Sequence, residues 1–151
     1  MVRGLRISMM LLAVIANLAW PFSAKANFNG KLTVEIDGLK NKQGQVCASI
    51  FANSKGFPSD SDRSLQKQCT KITSTPLIIT FENLKAGSYA VAVFHDQNND
   101  GILNRNVFGI PSEGFGFSSN PEIRTRAAKF SEAAFLVVGP DTDIRIQLKY
   151  F

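Results

Sequence analysis

Asp96, Asn98 and Asp100 alternate along "HDQNNDGILNRN", followed by Gly101, Ile102 and Asn104. Counted from Asp96, these are positions 1, 3, 5, 6, 7 and 9 of a calcium-loop template. The chemistry behind the spacing is simple. A hard cation wants six to eight oxygens at about 2.3–2.6 Å, and alternate side chains on a tightly curled segment point to a common centre. Gly101 stands where a sharp turn needs a residue without a Cβ, and Ile102 would offer its carbonyl oxygen. The match stops at position 12, which is Val107 rather than a bidentate Glu, and no helical pattern flanks the loop. The missing oxygen must then come from another segment, with Glu113 in "PSEGFG" and Glu132 in "FSEAAF" as candidates. With two formal charges, Asp96 and Asp100, a Ca2+ affinity on the order of 10⁻⁴ to 10⁻³ M is expected, the range of extracellular modules. The bland alternative is an Asn/Asp/Gly turn without an ion.

Two further features lie beside the loop. In "NVFGIPSEGFGFSS" Phe108, Phe115 and Phe117 are interleaved with Gly109, Gly114 and Gly116. The rings could form a binding platform or tuck under the loop as a satellite core, and a chain this rich in Phe buries most of them. His95, the only histidine, abuts Asp96 at the end of a strand. It joins the three rings in the candidate binding set. A general-base role would need a nucleophile beside it, and no Ser or Cys sits in such a context, so a positioned structural histidine is the better expectation.

The elements that must hold these residues read as strands. Leu32, Val34 and Ile36 alternate with polar neighbours, the period of a half-buried strand. "QVCASIFA", "KQCTKIT" and "LIITFENL" continue the pattern, the second as an edge strand. "SYAVAVFH" is apolar on both faces, which places it mid-sheet with cover on each side. "KAGSY" before it is expected to turn on a positive φ at Gly87. "AAFLVVG" and "DIRIQLKY" read as a closing pair joined at Pro140 and Asp141. "NSKGFPSDSDRS" is a polar surface loop. The sum is an all-β protein: an antiparallel β-sandwich of about seven strands, with a long ordered loop, Asp96 to Ser131, that has no strand pattern of its own.

The first residues bear on location. Arg3 and Arg6 precede an apolar run from Ile7 to Trp20, then "SAKA". That is the three-part pattern of a signal peptide, with cleavage expected after Ala26, and the run is short for a membrane span. Residues 1–26 carry Arg3, Arg6 and Lys25 and no acid, so the formal charge of +5 falls to +2 for the single domain 27–151. The basic residues left are scattered among acids, which gives no reason to expect nucleic acid, and no second apolar run suggests a transmembrane segment. An exported chain, periplasmic or extracellular, would oxidise Cys47 and Cys69 to a structural disulfide; their spacing is far from the C-x-x-C of a redox pair.

The stretch "AGSYAVAVFHDQNNDGILNRNVFGIPSEGFGFS" followed by "FSEAAFLV" resembles a family of secreted bacterial proteins known as domain-of-unknown-function family 2141. The resemblance implies an exported all-β domain with no assigned activity. Its signature positions fall here on His95, Asp96, Asn98, Asp100, Gly101, Phe108, Gly109, Pro111, Glu113, Gly114, Gly116 and Phe117. Asn104 stands where the family often has Asp, which implies a weaker ion site, and the cysteine pair is an addition to the pattern. The "L-x-x-G-x-Y" turn, Leu84 to Tyr89, is similar to that of transthyretin-like and carboxypeptidase-regulatory-like sandwiches, and implies a prealbumin-type or immunoglobulin-like arrangement. The expected role is a calcium-stabilised binding or structural module of the cell envelope, its partner a protein, a glycan or a small molecule. Two alternatives have defined requirements. A hydrolase would bring His95, Asp96 and Glu113 into one pocket, and a carrier of a small apolar ligand would need a hollow lined by Phe108, Phe115 and Phe117.

Overall fold

The computed structural model describes residues 29–151, so the expected signal peptide lies outside the described residues. Eight strands follow in chain order: β1 (Gly30–Asp37), β2 (Gln45–Phe51), β3 (Gln66–Lys71), β4 (Leu77–Leu84), β5 (Gly87–Asp96), β6 (Phe115–Phe117), β7 (Phe135–Val137) and β8 (Asp141–Gln147). One short helix, α1 (Phe130–Ala133), precedes β7. The strands form two sheets, β4-β1-β8 and β3-β2-β5-β6, and β7 also pairs with β5.

Alternation builds the core between the sheets. Leu32, Val34 and Ile36 of β1 meet Val46, Ala48 and Ile50 of β2 and Val91 and Val93 of β5 in one buried cluster. Each aliphatic side chain of this kind, fully buried, stabilises the fold by about 1.5–3 kcal/mol. In β4 both Phe81 and Leu84 are buried although they are three residues apart. A register shift opposite Gly30–Leu32, with Asn83 at φ 58°, returns Leu84 to the inner face. The left-handed residue here is Asn83, within β4 at its register shift, and Gly87 is simply the first residue of β5 without a positive φ, contrary to the expectation for "KAGSY".

The middle position expected for β5 is observed. Its inner face carries Tyr89, Val91 and Val93 into the main core. Its outer face carries Ala90, Ala92 and Phe94 into a second cluster with Phe115, Phe117, Ala128, Ala133 and, at its margin, Phe57, Ile123 and Phe130. The long excursion after β5 thus lays its own apolar residues on the outside of the sheet.

Three expectations are corrected. The stretch Asp96 to Ser131 is not free of strands: β6 adds to β5, with Phe94 opposite Phe115 and Ala92 opposite Phe117. Three residues rich in Gly and Phe are too short for periodicity to reveal them. The last two strands do not pair with each other. β7 lies against Gly87–Tyr89 of β5, whereas β8 crosses to the other sheet. There β8 runs parallel to β1, Val34 opposite Ile144 and Ile36 opposite Ile146, so one ladder of the sandwich is parallel. Both strands bury their alternate aliphatics on the same side, and that face is satisfied whichever way β8 runs.

Candidate functional site

The acidic loop begins where β5 ends. Successive side chains of a strand point to opposite faces, so His95 and Asp96 part company at once. His95 is fully buried on the inner side. Its Nε2–H donates to the Gln43 carbonyl at 2.7 Å, and Nδ1 meets the Tyr150 hydroxyl at 2.8 Å. The Gln43 oxygen can only accept, and the Tyr150 oxygen accepts from the Lys40 N–H at 3.3 Å, which leaves the phenol proton for Nδ1. Burial pushes the Tyr150 phenol up, which keeps that proton in place. The ring is a buried crosslink with both nitrogens engaged.

Asp96 is equally buried and serves as the hub of the loop. Oδ1 accepts from the Asp100 N–H at 3.1 Å, while Oδ2 accepts from Gly101 N–H at 2.9 Å and from the Gln45 amide at 2.8 Å. Gln45 stands directly across the ladder from Asp96. Gly101 takes φ 77°, as a side-chain-free residue can at this bend. The exposed Asp100 carboxylate is the second gathering point. Oδ2 accepts from the Asn98 amide at 2.8 Å and the Asn104 amide at 2.9 Å, and Oδ1 from the Ile102 N–H at 2.9 Å. Donation by Asn104, then Ile102, then Asn98 holds the Asp100 carboxyl below its ordinary value. Side chains at positions 3, 5 and 9 therefore meet at one point, and position 1 ties the backbone beneath them.

Glu113 braces the same loop from the returning strand. It is buried, and its two oxygens accept from Gln97 N–H at 2.9 Å and Asn104 N–H at 3.0 Å. Glu132 is engaged elsewhere: it binds both guanidinium nitrogens of Arg126 at 2.6 and 2.9 Å and the Lys129 N–H at 2.7 Å. Those bonds, the Arg126 one first, hold its carboxyl at about 2. Among the described residues no three His, Cys, Asp or Glu side chains converge as a metal cluster, so a cation at Asp100 would draw on amide and carbonyl oxygens as well. Both the Asn98 and the Asn104 amides present nitrogen to Asp100, and the set becomes all oxygen, as a hard cation such as calcium requires, only when both turn Oδ1 inward.

Cys47 and Cys69 face each other across β2 and β3 and are joined. Oxidised, the Cys47 sulfur has no proton to give to Asp96 Oδ2, 4.0 Å away.

Past the loop, the outer face of the five-stranded sheet opens into a hollow of about 820 Å3. Ala92 and Phe94 of β5, Phe115 and Phe117 of β6, and Leu103 and Ile123 of the excursion line it. Phe108 lines it too, at 84% exposure, on a turn in which Asn106 Oδ1 accepts from both Phe108 and Ile110 N–H. The three phenylalanines singled out in the sequence are thus brought to one concavity, two of them as buried floor and one as an exposed flap. Arg105, Arg124 and Arg126 also line it, and no acidic side chain does. The sequence reading passed over these arginines as scattered charge; the recurrence of Arg through 105–126 was the available signal. It also missed Ser118, for which no signal exists. Its buried hydroxyl donates to the Ala133 carbonyl and accepts from Val91 N–H, filling the gap on the edge of β5 between β6 and β7.

No helix among the described residues is long and apolar enough to cross a membrane. No curated protein and no solved structure matches the chain. The model of one family, described as an uncharacterised protein conserved in bacteria (DUF2141), matches residues 34–145, most of the two-sheet body and the whole of the loop and β6, and the chain belongs to that bacterial family.

Proposed function

We propose that this protein is an exported binding module that takes a small apolar ligand into the hollow on the outer face of its five-stranded sheet. The observation that carries this reading is the hollow itself, about 820 Å3, with Phe108, Phe115 and Phe117 all on its wall. Small-molecule sites occupy roughly 300–1,000 Å3, are mostly apolar, and carry a few placed polar groups, which is the make-up seen here. Export is supported by the leader pattern of residues 1–26 and by the Cys47–Cys69 bridge, which suits an oxidising compartment.

Calcium has a supporting part in the same reading. Asp96, Asn98, Asp100, the Ile102 carbonyl and Asn104 would hold the ion, with Glu113 fixing the backbone at Gln97 and Asn104 around it. The ion would supply rigidity to the wall that ends in Phe108. What supports it is the convergence of the Asn98, Asp100 and Asn104 side chains on one point, where each amide now donates Nδ2–H to Asp100 and would turn its Oδ1 inward to meet an ion.

The hydrolase alternative is not favoured, because His95 lies on the face of β5 opposite Asp96 with both ring nitrogens bonded. The binding reading is tested with N-phenyl-1-naphthylamine, a neutral apolar probe that fluoresces on leaving water. The protein should enhance its emission saturably, and Phe108→Ala, at an exposed flap, should weaken the affinity several-fold without shifting the melting temperature. Absence of saturable enhancement, or indifference to Phe108→Ala, overturns the reading.

A further inference from the structure

We infer that the ligand of the hollow is an anionic amphiphile, an apolar body ending in a carboxylate-like head, and that Arg105 reads the head. The inference rests on the hollow being a ligand site and adds the chemistry of its occupant. Three arginines line a concavity whose other polar side chains are the hydroxyls of Ser49, Ser59, Ser61 and Thr125, and no acidic side chain lines it. Two of the arginines are already matched. Arg124 pairs with Glu122 at 2.8 Å, and Arg126 is held by both oxygens of Glu132.

Arg105 is different. It takes part in none of the ion pairs among the described residues, and its one recorded bond runs from Nη1 to the Gly109 carbonyl at 2.9 Å. A guanidinium has five N–H donors in a planar fork, so four remain. That fork matches a carboxylate in a way a lysine ammonium does not. The bond to Gly109 also fixes the head of Arg105 beside Phe108, at the junction of flap and rim. An amphiphile with its chain along Phe94, Phe115 and Phe117 and its head at Arg105 would satisfy both halves of the site. A neutral hydrocarbon would fill the apolar part and leave the free donors of the exposed guanidinium at the rim to water alone.

Displacement of N-phenyl-1-naphthylamine from the purified protein by dodecanoate and by dodecanol, both below micelle-forming concentrations, separates the two claims. Dodecanoate should compete roughly tenfold or more better than dodecanol, the worth of about one charge-assisted hydrogen bond. Arg105→Gln should erase that preference, read as the ratio of the two displacers within the same variant so that any shift of the Phe108 turn cancels, and Arg105→Lys should retain part of it. Equal competition by the two displacers overturns the inference and leaves the hollow as an apolar site. No probe binding at all overturns both. A proportional loss of probe, dodecanol and dodecanoate affinity in Arg105→Gln, with the preference for dodecanoate intact, would mark Arg105 as merely structural and also overturns it. So would association with phosphatidylglycerol vesicles in the absence of any displacement, which would make the exposed Val107–Phe108 tip a bilayer contact instead.

Discussion

Asp96, Asp100 and Glu113 show how few side chains shape a segment with no ladder of its own. A buried carboxylate is costly unless its oxygens are met, and here Asp96 and Glu113 are met by five N–H groups from the loop and its neighbours. The carboxylates are therefore part of the fold of the loop itself. Asp100 is the position to change when asking about calcium, because it is exposed and its loss should leave the scaffold standing. Millimolar calcium should raise the melting temperature relative to chelator, and Asp100→Ala should remove the increment. Superimposable melting curves for the unmodified protein in calcium and in chelator would dispose of the ion. His95 carries the opposite lesson. Sequence adjacency to Asp96 suggests a catalytic pair, yet the pleat sends the two to different sides, and the imidazole ends as a bridge from Gln43 to Tyr150.

Among the elements, β5 organises the molecule. It is flanked by β2 along Ala90–Asp96 and, on its other edge, by β7 at Gly87–Tyr89 and β6 at Ala92–Phe94 in succession. Between them Ser118 bonds Val91 of β5 and the Ala133 carbonyl of α1, so that edge is covered over most of its length. β6 in turn needs Gly116: a Cβ there would stand 2.7 Å from Ile146 Cγ2 and 3.1 Å from the Gln147 carbonyl of the facing sheet. β3 is the exposed edge of its sheet, half-buried at best, and the disulfide reinforces its antiparallel ladder with β2. The bridge spans a sequence separation of 22, and its removal should lower the unfolding free energy by about 3 kcal/mol in the chain-entropy view. The double variant Cys47→Ser with Cys69→Ser should show this as an earlier urea midpoint, with a somewhat steeper slope because the uncrosslinked denatured chain exposes more surface. An unmoved midpoint would mean that the bridge adds nothing to the stability of the folded edge.

At the scale of the whole molecule, the acid side of the stability curve draws on three exposed carboxyls that are depressed when folded. Asp62 is lowered by Lys67. The other two are Glu132, lowered from an ordinary 4.5 to about 2 by Arg126, and Asp100, held below its ordinary value by Asn104, Ile102 and Asn98. The sign is that of any depressed carboxyl. Their contribution is complete above the unfolded values and is lost as pH falls through the folded ones. Unfolding free energy should therefore decline between about pH 4.5 and 2. The slope should be shallower at high salt, since all three groups are in water, and shallower in Glu132→Gln. A curve with the same slope in that variant would assign the acid response to other groups. Much of the rest of the molecule was legible in advance. Alternation in β1 and β4, the doubly apolar β5 and the facing cysteines stood in the sequence because each reflects a local period or a residue type with one common use. The loop's turn chemistry was legible for the same reason, since Asp, Asn and Gly at fixed offsets act within a few residues. Long-range placement was not legible. The parallel run of β8 beside β1, the three-residue β6, the assembly of Phe108, Phe115 and Phe117 with Arg105 around one hollow, and the parting of His95 from Asp96 all depend on which surfaces meet across the chain. Sequence by itself determined the strands, their inner faces and the curl of the acidic loop. Only tertiary packing decided what those strands enclose, because a hollow belongs to residues far apart in the chain and leaves no period in any one of them.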